Sequence, residues 1–202
     1  MSIFLSPAQK TFLGEARGYM ILSAVLFLLG GIIGYLSGIF APNQIEEVRS
    51  SLEGYGEVFN NYTTIQIFFY ILLNNTLVLL GVMLLSVLAG VVAAVFSLTQ
   101  GFLIGVIVFL TIGTHSVAAI LIGILPHGVF ELPALFITLG IGFLLGRWFL
   151  QRLGGKRATP ITADLRRAFE LFAVVIFPLL IIAAAIEAFF TPELLASYLN
   201  VI

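Results

Sequence analysis

The sequence predicts an all-α fold: a polytopic transmembrane helix bundle of about five spans. Three observations predict it. Of 202 residues, 60% are hydrophobic and only 9% charged, with a mean hydropathy of +1.16; soluble domains are about 45–50% apolar and about 25% charged. The apolar residues fall in several long runs, each near the roughly 20 residues that cross a bilayer. The charges are sorted by sign into separate polar stretches, as the flanks of membrane spans are.

The first run, about Tyr19 to Phe40, exceeds a signal-peptide core of about 7–15 residues and has no A-x-A-type site after it. It reads as a retained span over 18–40. The second run, 66–98, is too long for one crossing, since about 1.5 Å per residue gives roughly 50 Å. An interfacial or re-entrant turn is expected up to Asn74-Asn75, with the true span starting at Thr76. The remaining spans are expected at 102–125, 129–150 and 171–190, the third ending at a break over Pro126-His127-Gly128. All belong to a single membrane domain, 1–202.

Orientation follows from the loops. Residues 41–64 carry Glu46, Glu47, Glu53 and Glu57 against Arg49. The later loop, 151–168, and its flanks carry Arg147, Arg152, Lys156, Arg157, Arg166 and Arg167 against Asp164 and Glu170. Short loops rich in Lys and Arg stay cytoplasmic. Lys10 and Arg17 put the N-terminus on the same side. Five spans then leave the C-terminus and the acidic loop extracytoplasmic, in a multi-pass protein of the cell membrane.

Several function classes are excluded. With no cysteine there is no disulfide framework, thiolate metal site or redox couple. The basic residues form no broad stripe, so nucleic acid is not an expected partner. No segment outside the spans reaches the roughly 50 residues of a soluble catalytic domain. No phosphate-binding loop marks an ATPase.

The candidate site is Leu125-Pro126-His127-Gly128-Val129-Phe130-Glu131-Leu132-Pro133. Its histidine and carboxylate are four residues apart and share a helix face. Ionisable groups within a membrane span are functional candidates by default. On the expected topology Glu187, Asn74 and Asn75 reach the same depth near the outer face. His127, Glu131 and Glu187 could bind a divalent metal such as zinc, leaving a position for water. They could equally form a structural hydrogen-bond network, or a proton or ion relay. Asn74 and Asn75 either line this site or cap the spanning helix. His115, between Thr114 and Ser116, is expected to be neutral and hydrogen-bonded to a neighbouring helix.

Gly30, Gly34 and Gly38, and Gly142 and Gly146, recur at four-residue spacing, which lets helices approach closely in lipid. Packing within one chain is the simpler reading, and a homodimer the other. Ile45, Val48, Leu52, Tyr55, Val58 and Phe59 suggest a short amphipathic helix on the outer surface. The tail from Pro192 to Ile202 has the same character. The basic loop reads as an orientation signal in contact with anionic lipid.

Pro126 through Pro133, Ile186 through Pro192, Asn74-Asn75 and Gln100-Gly101 together resemble the stage II sporulation protein M family, over nearly the whole chain. The PHG-x-x-E-L core is the most specific part; many members have Asn-Gly where this chain has Gln100-Gly101. The resemblance implies an integral membrane protein. Bacterial members are implicated in septal cell-wall remodelling as membrane partners of peptidoglycan-degrading proteins. Relatives also occur in organisms that neither sporulate nor build that wall. The expected function is thus a non-enzymatic membrane scaffold or subunit of an envelope-remodelling assembly. The alternative is a metal-dependent intramembrane hydrolase, or a transporter, using His127, Glu131 and Glu187.

Overall fold

The computed structural model describes residues 6–43, 45–50, 61–112 and 117–199. Helix α1 runs Pro7–Phe40. Ser6 opens it with a capping box: its hydroxyl accepts from the Gln9 N–H while the Gln9 side chain accepts from the Ser6 N–H. That satisfies donors which a first helical turn leaves orphaned. Helix α2, Thr64–Leu85, starts on the same device built from Thr63 and Gln66. Helices α3, Val91–Ile112, and α4, Val117–Leu153, follow. The last rod consists of α5 (Ile161–Leu171), α6 (Phe177–Ala185) and α7 (Thr191–Leu199), joined by π-helical turns at Phe172–Ile176 and Ile186–Phe190.

No strand occurs among the described residues. Five helices are long and apolar enough to cross a membrane, so the fold is the all-α, five-span bundle the composition predicts.

The span boundaries differ from expectation in the middle of the chain. The run 66–98 does not bend at Asn74-Asn75; α2 passes straight through them. It breaks instead at Ser86–Gly90, where Ala89 and Gly90 take positive φ values of 58° and 74°. Helix α3 therefore occupies 91–112 rather than 102–125. Pro126-His127-Gly128 is not a break either, since α4 continues through both Pro126 and Pro133. Each proline removes one backbone donor, a loss that packed membrane helices tolerate. Of the acidic loop, residues 42–43 and 45–50 are helical and Ile45 is buried, while Leu52, Tyr55, Val58 and Phe59 lie outside the described residues. In the tail, α7 is helical as far as Leu199, and 200–202 lie outside.

The two π turns have a common cause. Pro178 and Pro192 each follow one of them at the second position of the next helix. A proline ring cannot donate and presses on the carbonyl four residues back. The ladder widens there: the Phe177 N–H reaches the Phe172 carbonyl and the Thr191 N–H reaches that of Ile186. Thr191 Oγ1 donates to the same Ile186 carbonyl at 3.2 Å.

Helix α4 is the hub. Of its most apolar 18-residue window 61% is buried, against 17% for α2 and 28% for α3. Leu139, Ile141, Leu144 and Leu145 meet Leu171, Ile176 and Leu180 of the last rod in the core. Phe12 of α1 packs on Trp148 with ring centroids 5.4 Å apart.

The predicted glycines are used within the chain. A Cβ on Gly30 would strike the Leu98 carbonyl, and one on Gly34 the Phe102 backbone. The opposing helix answers in kind, with Gly101 against the Phe27 carbonyl and Gly105 against that of Gly31. Gly38 receives the Phe109 ring, Gly142 lies on Ser86, and Gly146 on the backbone of Ala89 and Gly90. At Gly30, Gly34, Gly101, Gly105 and Gly146 the packing is therefore backbone to backbone. A Gly101→Ala substitution should destabilise the bundle by about 1–3 kcal/mol through overpacking. Gly81→Ala, with nothing within 4 Å of the new methyl, should leave stability unchanged or raise it by about 0.5–1 kcal/mol. Thermal unfolding of the two variants in one detergent checks the contrast.

Candidate functional site

The α-helical continuity of α4 decides how the site is built. Because the helix does not break, His127 and Glu131 stand one turn apart on one face. Glu187 enters from the last rod inside the second π turn, Ile186–Phe190. One extra residue per turn changes which way the side chains of such a segment face, and π turns recur at functional sites. Donor atoms of His127, Glu131 and Glu187 all lie within 4.8 Å of one another, and all three residues are half-buried.

The third wall is α2. Asn75 Nδ2 donates to Glu131 Oε1 at 3.0 Å, and Asn74 Nδ2 leans on Asn75 Oδ1 at 3.4 Å. The asparagines are therefore neither a cap nor a turn; they are mid-helix side chains facing the carboxylate. Asn75 holds one oxygen of Glu131 and leaves the other available. Thr76 Oγ1 and His127 Nδ1 are buried without a hydrogen-bond partner. Among the described residues no hydrogen bond or ion pair joins His127, Glu131 and Glu187 directly. They converge without satisfying each other.

A cavity of about 330 Å³ adjoins the cluster, enclosed by α1 to α4. His127, Glu131, Asn74, Asn75 and Gln100 give it polar wall, and Phe27, Leu79 and Phe96 are among its apolar residues. Glu187 does not line it. Asn75 and Gln100 stand near the midpoints of α2 and α3, both 22-residue helices. The site thus lies within the length of the spanning helices, deeper than the outer-face position expected from the sequence.

The expected site residues His127, Glu131, Glu187, Asn74 and Asn75 are brought together. His115 lies outside the described residues. Gln100 joins His127, Glu131, Asn74 and Asn75 on the cavity wall, although the sequence marked it only as part of the Gln100-Gly101 pair. The signal for it was an amide beside Ser97 and Thr99 midway along an apolar run.

Sequence reading also missed what Asp164 does. Its side chain is fully buried and binds both Arg152 and Arg157, the latter at 2.9 Å. Arg152 Nε also donates to the Thr159 carbonyl at 2.8 Å, and the Arg157 guanidinium lies 3.8 Å over the Trp148 ring. Two charges that the loop seemed to offer to lipid are spent inside the protein, tying α4 to α5.

These features define a class: a polytopic helical membrane protein with a cluster of polar and ionisable side chains between its spans. The chain belongs to the stage II sporulation protein M family, whose model matches residues 23–192. It is also 29% identical over 182 residues to an uncharacterized protein of Methanocaldococcus jannaschii, covering 89% of this chain and 97% of that protein. No solved structure matches.

The Asp164 cluster yields a stability test away from the cavity. Asp164→Asn strands two partly buried guanidinium groups and should cost about 3 kcal/mol. Asp164→Glu should recover part of that loss. Denaturation midpoints of the three proteins check the order.

Proposed function

We propose that this protein is a membrane subunit whose bundle is organised around a divalent cation held by His127, Glu131 and Glu187. One observation carries the reading. Three side chains of ligand type, from two separate rods, bring donor atoms within 4.8 Å without bonding to each other. A network that existed only to hold the fold would spend its polar atoms on one another, because an unsatisfied buried group is costly. Here the His127 Nδ1 is left over.

Charge bookkeeping points the same way. An ionised side chain at the centre of a span costs about 2.5–3.5 kcal/mol on insertion scales. Two carboxylates side by side need shared protons or a cation between them. One divalent cation with a neutral imidazole makes the group electrically neutral. One nitrogen and two carboxylate oxygens also suit zinc, with a fourth position open. Asn75 acts as the outer-shell residue that orients Glu131.

Family membership supports a role as a scaffold or subunit of an envelope-remodelling assembly, with the N-terminus and the basic loop cytoplasmic. The cation then fixes how α2, α4 and the last rod meet. Metal-dependent hydrolysis within the membrane is the second reading, favoured by the cavity on the open side of the cluster. Transport gains no support, because α2 and α4 are unbroken where they carry the site. A transporter of the discontinuous-helix kind would be unwound there.

The test is metal content by elemental analysis after purification in detergent, with no metal or chelator added. Near-stoichiometric metal is expected in the parent protein, and its loss in Glu131→Gln and in Glu187→Gln. Absence of metal from the parent, even after dialysis against zinc, overturns the proposal. Asn75→Leu should keep the site but weaken zinc binding about 10–100-fold, measured by competition with a chromophoric chelator.

A further inference from the structure

The cavity beside the cluster carries more polar surface than a lipid-filled void needs. Asn74 is exposed, although it stands near the midpoint of α2. Gln100 makes no side-chain hydrogen bond to another described residue. Both are primary amides on opposite walls of one space, α2 and α3, with His127 and Glu131 on a third. Asn74 donates to Asn75 Oδ1 at 3.4 Å, but Gln100 has no such partner, and an amide transferred to hydrocarbon without one costs roughly 2–7 kcal/mol. Their arrangement implies an occupant with hydrogen-bonding atoms.

The walls limit what that occupant is. No lysine or arginine lines the cavity, so nothing there balances a phosphate. The remaining lining is apolar: Phe27, Val78, Leu79, Ile104, Ile124 and Leu132 among others. At about 330 Å³ the space is at the lower end of small-molecule sites, which run about 300–1,000 Å³. It cannot admit a helix, whose diameter with side chains is about 10–12 Å. One flexible hydrocarbon chain fits such a space.

The approach to the cluster is equally directional. His127 and Glu131 are both ligand candidates and cavity wall, whereas Glu187 does not line the cavity. His127 and Glu131 would therefore hold a cation beside the cavity, where a further oxygen donor has room. The amides of Asn74 and Gln100 line the same space.

We infer that the cavity binds a single-chain acyl compound, its carbonyl oxygen directed to the cation held by His127, Glu131 and Glu187 and its hydrocarbon chain along the apolar wall. The inference rests on the cation reading and goes beyond it by naming the ligand class. It gives the open coordination position an occupant, whether or not chemistry follows.

Alkyl hydroxamates are suitable probes, because they combine a metal-binding carbonyl group with a chain of chosen length. Zinc-loaded protein in detergent is titrated with acetohydroxamate and octanohydroxamate by calorimetry, with metal content measured on the same samples. The longer probe is expected to bind at least tenfold more tightly. Val78→Trp, which fills the cavity, should abolish that advantage while leaving metal content and acetohydroxamate binding unchanged. Ile104→Phe, from the facing helix, repeats the test should the first variant fold poorly. Gln100→Leu should weaken both probes alike. Equal affinity for the two probes overturns the inference while leaving the cation site standing, as does a chain-length advantage that survives both filling variants. Protein that takes up no zinc overturns the cation reading and the inference together.

Discussion

Everything in this bundle depends on how closely two helix backbones can approach when nothing but hydrogen stands between them. In lipid there is no hydrophobic gain from bringing apolar helices together, so association rests on contact area and hydrogen bonds. Gly30 and Gly34 on α1 and Gly101 and Gly105 on α3 let the two chains of carbonyls lie against each other. Gly142 and Gly146 bring α4 onto the turn between α2 and α3 in the same way. The site inherits its dimensions from these contacts. Glu131 reaches Asn75 at 3.0 Å in a bundle where α4 is seated against the α2–α3 turn.

The polar economy of the spans divides into two kinds. Most hydroxyls are settled locally: Ser86, Ser97 and Thr138 each donate to the carbonyl one turn back, at 2.6–2.8 Å. Asp164 and its two arginines pair with one another at the end of the bundle, with Arg152 Nη1 left unpartnered. The cluster at His127 belongs to neither kind. Its members are close, partly buried and mutually unbonded, an arrangement unlike either of the other two.

Much of the architecture was legible in the sequence because lipid imposes a length and a composition on every span. Five runs, the interior glycines and the grouping of His127, Glu131, Glu187 and the two asparagines could all be read there. Helix ends could not. The α2–α3 turn consists of Ser86, Val87, Leu88, Ala89 and Gly90, which carry no proline and no charge to mark it; only Gly90 hinted at a left-handed residue. Pro126 misled in the opposite sense, since a proline inside a membrane helix need not end it when neighbours support the backbone. Asp164 was hidden among basic residues, where its burial depends on a tertiary contact with α4. Glu187 was visible as a charge, but its facing depends on a π turn that no side-chain spacing announces.

That π turn has a further consequence. A helix carrying one residue more than its α ladder requires holds the equivalent of a single-residue insertion, absorbed without a loop. Restoring α geometry at Ile186–Phe190 would swing everything beyond it by about 100° and carry Glu187 off its present azimuth. The facing of Glu187 and the direction of the segment Thr191–Leu199 are thus geared together.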